Sequence, residues 1–130
     1  MNDIANWNVL VVDDEPDNVG VIELVLSFHN AKVRTADSGP KCIQMMEEEV
    51  PNLLLVDIQM PGMSGMELME KVREREEWRN IPVVVVTAHA MRGDDERFLA
   101  AGFDGYIAKP ISAMTFVDEL QSILSAKVRA

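Results

Sequence analysis

Cysteine is nearly absent: Cys42 is the only one among 130 residues, so no internal disulfide can form. With only two histidines beside it, no zinc-type ligand spacing exists either, and Cys42 reads as a small buried apolar residue. Basic residues are scarce, with 12 Lys and Arg against 22 Asp and Glu and a formal charge of −10. A phosphate backbone is repelled by such a surface, which argues against direct nucleic-acid binding. Long apolar runs are missing too. The longest aliphatic stretch, Val83 to Val86 with Ile81 and Pro82 before it, falls far short of the ~20 residues a membrane helix requires. Met1 to Asn8 carries Asp3 and no basic residue, unlike a secretory signal, so a cytoplasmic location is expected. No internal repeat, low-complexity segment or linker interrupts the chain.

What is present describes one globular unit. Hydrophobic residues make up 48% and charged residues 26%, and a chain of this length matches one domain, expected over residues 1–130 with its core at about 8–125. Five short β-rich runs stand out: Val9 to Val12, Lys32 to Ala36, Leu53 to Val56, Val83 to Val86 and Gly105 to Ala108. Most are wholly apolar, as strands buried on both faces are. Amphipathic stretches separate them, which predicts an α/β fold with a parallel sheet between helical layers. Pro16, Ser38 with Pro40, Ser64 and Asp94 or Asp95 mark helix starts, and a last helix is expected from near Ser112. His29, at the end of the first helix, is expected to serve that helix's carbonyls. The acidic runs Glu47 to Glu49 and Glu74 to Glu77 read as solvated faces. The methionines clustered from Met45 to Met69 read as core filling in preference to an adaptable partner surface.

In open α/β sheets, ligands sit beyond the carboxyl ends of the strands. Here those ends are polar: Asp13-Asp14-Glu15 follows the first run, Asp57 the third, Thr87 the fourth and Lys109-Pro110 the fifth. Taken singly, most have a plainer reading. Asp13 and Asp14 could decorate a helix start, Thr87 could be an ordinary β-branched strand residue, and Lys109 a solvated loop charge. Asp57 resists that reading, because it directly ends an apolar run and precedes a tight loop, Gln59 to Gly65. Their joint occurrence is the signal. Three carboxylates within ~4 Å of one another would repel by about 4 kcal/mol per pair at an effective dielectric near 20. A hard, oxygen-seeking cation relieves this, and a site open to solvent suits Mg²⁺. A lysine and a threonine hydroxyl at the same edge then suit a phosphoryl group, with Asp57 as nucleophile.

These residues resemble the receiver domains of two-component response regulators. The resemblance runs from Val9 to about Leu124 and rests on Val-Val-Asp-Asp-Glu at 11 to 15, Asp57-Ile-Gln-Met-Pro-Gly-Met-Ser-Gly to 65, Pro82 to Ala88, Ala101-Gly102-Phe103-Asp104 and Tyr106-Ile-Ala-Lys109-Pro110. It implies a flavodoxin-like doubly wound (βα)5 fold with strand order 2-1-3-4-5. It implies that Asp57 is phosphorylated from a sensor histidine kinase or a histidine phosphotransfer protein. Mg²⁺ would then be held by Asp57, by Asp14 directly, by Asp13 chiefly through water and by the Gln59 main-chain carbonyl. Thr87 would bond the phosphoryl oxygen, with Tyr106 turning inward behind it as the switch. Ala88 would leave room for the phosphoryl group, and the Lys109–Pro110 peptide would be cis. Gln59 and His89 would tune the phosphoryl lifetime, although an exposed His89 without a role is an equal alternative. Signalling would pass to a protein target through the surface of the fourth helix, fifth strand and fifth helix. The protein would be a monomer or a phosphorylation-dependent dimer with no output domain attached, a switch that catalyses only its own phosphorylation and dephosphorylation.

Two rival classes fit less well. A haloacid-dehalogenase-like phosphatase needs an Asp-x-Asp motif after the first strand and a cap for its substrate, whereas this chain has Asp13-Asp14-Glu15 and little length to spare. A flavin-binding module needs a Ser/Thr/Gly-rich anion loop where this acidic triplet stands.

Overall fold

A computed structural model describes residues 6–88, 94–109 and 111–129. His89 and Pro110, and with them the expected cis Lys109–Pro110 peptide, lie outside the described residues. Strands and helices alternate: β1 (Asn8–Val12), α1 (Pro16–Phe28), β2 (Lys32–Ala36), α2 (Gly39–Glu48), β3 (Leu53–Val56), α3 (Gly65–Glu74), β4 (Val83–Thr87), α4 (Asp94–Ala100), β5 (Gly105–Ala108) and α5 (Phe116–Arg129). The strands form one parallel sheet in the order β2-β1-β3-β4-β5. This is the flavodoxin-like arrangement expected.

Side chains along a strand point alternately to the two faces, and here both faces are apolar. Leu10, Val12, Leu54, Val56, Val83 and Val85 pack with Met46, Leu68, Met69, Val72 and Phe98 of α2, α3 and α4. The alternate residues Val9, Val11, Leu53, Leu55, Val84 and Val86 pack with Ile22 and Leu26 of α1 and with Phe116 and Leu120 of α5. Each such side chain, fully buried, contributes about 1.5–3 kcal/mol. Cys42 lies in the first of these layers, where burial pushes its thiol pKa up to about 12. Met46, Met60 and Met69 are buried there, and Met45, Met63 and Met66 pack partly buried against them, so these methionines fill the core.

Helix starts follow the local chemistry. Ser38 Oγ accepts from the Lys41 N–H at 3.3 Å. At α3 a reciprocal box forms: Ser64 Oγ accepts the Glu67 N–H at 3.2 Å while Glu67 Oε1 accepts the Ser64 N–H at 3.3 Å. Pro16 occupies the first turn of α1, where a missing N–H costs nothing. The last helix departs from expectation. The Ser112 carbonyl accepts the N–H groups of Thr115 and Phe116, so Ser112 opens a turn and α5 begins at Phe116. β4 runs one residue past its apolar run, because Thr87 pairs in register with Ala108. At the end of α1 the His29 main chain does the capping, its N–H donating to the Leu26 carbonyl at 3.1 Å, while its ring stands edge-on to Phe28. Glu47 to Glu49, Glu74, Glu76 and Glu77 are exposed, as expected of solvated faces. Three of them form ion pairs, Glu47 with Arg75 at 2.6 Å, Glu49 with Lys32 at 2.9 Å and Glu77 with Arg75 at 3.7 Å.

At the amino edge of the sheet one side chain gathers several loops. The Arg73 guanidinium donates to the carbonyls of Trp78, Arg79, Ile81 and Gly102 at 2.9–3.1 Å. It also faces Asp104 at 3.5 Å. These carbonyls follow the ends of α3 and α4, where the main chain has no helical partner to accept.

Gly65 marks a close approach at the opposite edge. A Cβ there would rest on the main-chain oxygen of Asp57 and lie 2.9 Å from the Ile58 Cα. Backbone cannot swing aside, so Gly65→Ala is expected to cost about 2 kcal/mol. Gly20, in α1, has no such neighbour within 4 Å, and Gly20→Ala is expected to stabilise by about 0.5–1 kcal/mol. Urea unfolding of the two variants beside the parent checks both signs.

Candidate functional site

The main-chain ladder carries three charged residues just past the apolar interior. Asp13 donates its N–H to the Ala36 carbonyl at 3.1 Å, Asp57 to Val12 at 2.9 Å, and Lys109 to Thr87 at 2.9 Å. Strand pairing therefore sets the position of each backbone before any side chain acts. Asp13 and Asp57 are buried at 3% and 4% exposure, and Thr87 is fully buried. Asp14 and Glu15, next in the chain, are exposed.

One ammonium serves two carboxylates. Lys109 Nζ lies 2.8 Å from Asp13 Oδ2 and 3.4 Å from Asp57 Oδ2. The remaining oxygen of Asp13 accepts the Glu15 N–H at 2.9 Å, closing a turn, while Asp57 Oδ1 accepts a long 3.4 Å bond from the Gln59 N–H. Burial holds the Asp57 carboxyl above its ordinary pKa; Lys109 pulls it back and the Asp13 charge adds to the rise. For Lys109, burial acts downward, but the bond to Asp13 and the fields of Asp57 and Asp13 outweigh it and hold the pKa above its ordinary value. Lys109 is thus an ammonium at neutral pH.

Asp13, Asp14, Glu15 and Asp57 each present a carboxylate oxygen within 4.8 Å of the others. Only oxygen donors meet here, two of them open to water, which is the chemistry of a hydrated hard cation such as Mg²⁺. Asp13, Asp14, Asp57 and Lys109 come together as the sequence suggested. Glu15 joins them; as a donor it was missed, although its place in the acidic triplet was the available signal. Thr87 ends β4 on the face that holds Val83 and Val85. Tyr106 sits opposite Val85, on that same face and diagonal to Thr87. Its ring is turned outward, 39% exposed and 5.9 Å from the Phe98 ring. Ala88, one residue beyond Thr87, is exposed at the rim.

Known proteins share this fold. Residues 9–121 match the response regulator receiver domain family, and the chain belongs to that family. It is 36% identical over 117 residues to the polar-differentiation response regulator DivK of Brucella ovis, covering 90% of this chain and 95% of that protein. An uncharacterized 14.6 kDa protein of Leptolyngbya boryana is 33% identical over 121 residues, covering 93% and 92%. A CheY-like receiver domain protein of Methanospirillum hungatei superposes with a TM-score of 0.80 at 28% identity, covering 93% and 95%. The fold is shared also with the chemotaxis response regulator CheY4 of Vibrio cholerae, at a TM-score of 0.83 and 24% identity over 88% of this chain and 96% of that one. Receiver domains are signalling switches of two-component systems, and they bind Mg²⁺ at an acidic pocket. Among the described residues no helix is long and apolar enough to cross a membrane.

The crowded carboxylates cost stability, with a definite pH dependence. A carboxyl whose folded pKa is raised binds its proton more tightly folded than unfolded, so stability falls as pH rises through that folded value. Asp57→Asn removes the penalty and leaves Lys109 with Asp13. In EDTA at pH 7 the variant is expected to melt roughly 4 °C above the parent, for about 1 kcal/mol, and the gap should close as pH falls through the carboxylate range. Millimolar Mg²⁺ should raise the melting temperature of the parent far more than that of the variant. Calorimetric scans across pH, with and without Mg²⁺, check all three statements.

Proposed function

We propose that this chain accepts a phosphoryl group on Asp57 from a phosphohistidine, on a sensor histidine kinase or a histidine phosphotransfer protein, and thereby switches a protein-binding surface. The observation that carries this reading is the buried Asp57 carboxylate. One oxygen faces the Lys109 ammonium at 3.4 Å, and the whole group stands among Asp13, Asp14 and Glu15. As the carboxylate, a lone pair of Asp57 attacks phosphorus, a P–O bond forms and the P–N bond to imidazole breaks, its electron pair returning to the ring nitrogen. Lys109, already charged, balances the negative oxygens of the group that arrives. The Thr87 hydroxyl donates to one of them. Asp57, Asp14, the Gln59 carbonyl and, through water, Asp13 would hold Mg²⁺, with Glu15 beside them. When bound, that ion supplies positive charge to the equatorial phosphoryl oxygens. Water attack on the same acyl phosphate reverses the modification, so the domain acts catalytically only on itself.

The switch is a population shift, biased only by contacts that differ between the two states. Once Thr87 is drawn to the phosphoryl oxygen, Tyr106 turns inward behind it on the face they share. The surface of α4, β5 and α5 changes shape and presents the output to a protein target. The chain acts as a single receiver domain over 1–130, its core at about 8–125, as a monomer or a phosphorylation-dependent dimer in the cytoplasm.

Intact-protein mass after incubation with acetyl phosphate tests the chemistry. A gain of one phosphoryl group is expected with Mg²⁺, at least tenfold less without it, and none in Asp57→Ala. Lys109→Ala is expected to accept phosphate yet gain no affinity for the protein target. A Lys109→Ala protein whose target affinity still rises on phosphorylation would refute the role given to Lys109.

A further inference from the structure

The loop that joins β3 to α3 carries Gln59, and its two ends are fixed. The Gly65 N–H donates to the Ile58 carbonyl at 2.9 Å, and Gly65 leaves no room for a Cβ beside the Asp57 main-chain oxygen. Between those ends the chain turns through Gly62 at φ +79°, and Met60 is buried in the core. Met63, partly buried against the same core layer, also meets the start of α2. A Cβ built on Gly39 would lie 2.5 Å from the Met63 Sδ and 3.0 Å from its Cβ and Cγ. The conformation of Gly39 does not explain the glycine. It is the first residue of α2 and has no positive φ, so alanine would suit the backbone, and glycine is a poor helix former. Capping does not need it either, since Ser38 Oγ accepts the Lys41 N–H. What Gly39 supplies is room for Met63. The sulfur could swing away from an added methyl group, but Met63 Cβ and Cγ adjoin the main chain of the loop and would carry it with them, by about a few tenths of an ångström.

We infer that Gly39 is a positioning residue for Mg²⁺, acting through Met63 on the place at which the loop holds the Gln59 carbonyl. The inference rests on the metal set proposed above, in which that carbonyl is a ligand. Mg²⁺ demands near-octahedral geometry with its oxygens at roughly 2.0–2.1 Å. A ligand carried on a displaced loop therefore weakens binding, whereas Asp13 and Asp57 keep their places through main-chain bonds to neighbouring strands. No residue of α2 belongs to the acidic cluster, so the helix tunes the site from outside it, through one side chain seated on one glycine.

Titration of MgCl₂ into the ¹⁵N-labelled full chain, followed by the amides of Asp57 to Met60 and by melting temperature, tests it as a double-mutant cycle. Gly39→Ala is expected to raise the Mg²⁺ dissociation constant about fivefold when Met63 is present and by less than about twofold in Met63→Ala. It is also expected to shift the Gln59 and Met60 amides before any metal is added. Gly20→Ala, a helical glycine with nothing within 4 Å, should change neither. Met63→Ala alone adds no clash, yet the loop loses its seat, and Mg²⁺ should bind about threefold more weakly; this variant decides the matter if Gly39→Ala does not fold. Unchanged Mg²⁺ affinity in Gly39→Ala or in Met63→Ala would overturn the inference. So would a loss as large in the Met63→Ala background as in the parent, or a lower melting temperature in EDTA with Mg²⁺ affinity intact, which is the mark of a merely structural glycine. The titration of the parent separates the two failures: a parent that binds no Mg²⁺ overturns the metal set and the inference with it, whereas a parent that binds beside an unaltered Gly39→Ala overturns the inference alone.

Discussion

The buried bridge of Lys109 to Asp13 and Asp57 governs the rest of the structure. Three charges have been taken out of water, and two of them are of one sign. Desolvation of such groups costs several kcal/mol each, and mutual attraction only partly returns it. The arrangement is therefore a poor way to stabilise a fold and a good way to hold a site ready. The carboxylates are short of positive charge, a condition that a bound cation would relieve. The ammonium already points at the place where a phosphoryl oxygen would add negative charge.

That bridge is possible only because of the strand order. Lys109 and Asp13 are 96 positions apart in the chain, and β4 lies between β3 and β5. The lysine must reach across the end of β4, beside Thr87, to touch Asp57. Thr87, Lys109 and Asp57 are thus neighbours by topology, each held by a main-chain bond one residue beyond an apolar run. Thr87 and Tyr106 share the face of the sheet on which Phe98 of α4 packs. At the opposite edge, the Arg73 guanidinium ties the ends of α3 and α4 to the loops that follow them.

Much of the fold was legible because its signals are local. Leu53 to Val56 is apolar at every position since both faces of the sheet are covered, and the abrupt change to Asp57 marks where cover ends. Ser38 and Ser64 carry the hydroxyls that a helix start requires, within three residues of the N–H groups they accept. Ser112 carries the same hydroxyl, yet its carbonyl accepts two N–H groups in a turn that delays α5 to Phe116. Nothing adjacent in sequence reveals that outcome.

The order of polar residues at the strand ends was determined by the sequence itself, because burying an apolar run forces its charged neighbours to the edge. So was the parallel architecture, through runs too short for helices and too apolar for a one-sided sheet. Only the tertiary structure decided which charges meet: that Glu15 turns its carboxylate to Asp13 and Asp57, that Lys109 bridges two strands, and that Arg73 reaches a carbonyl 29 positions away. Those contacts depend on through-space distances of a few ångströms between residues far apart in the chain, and the spacing of residues along a sequence carries no such distance.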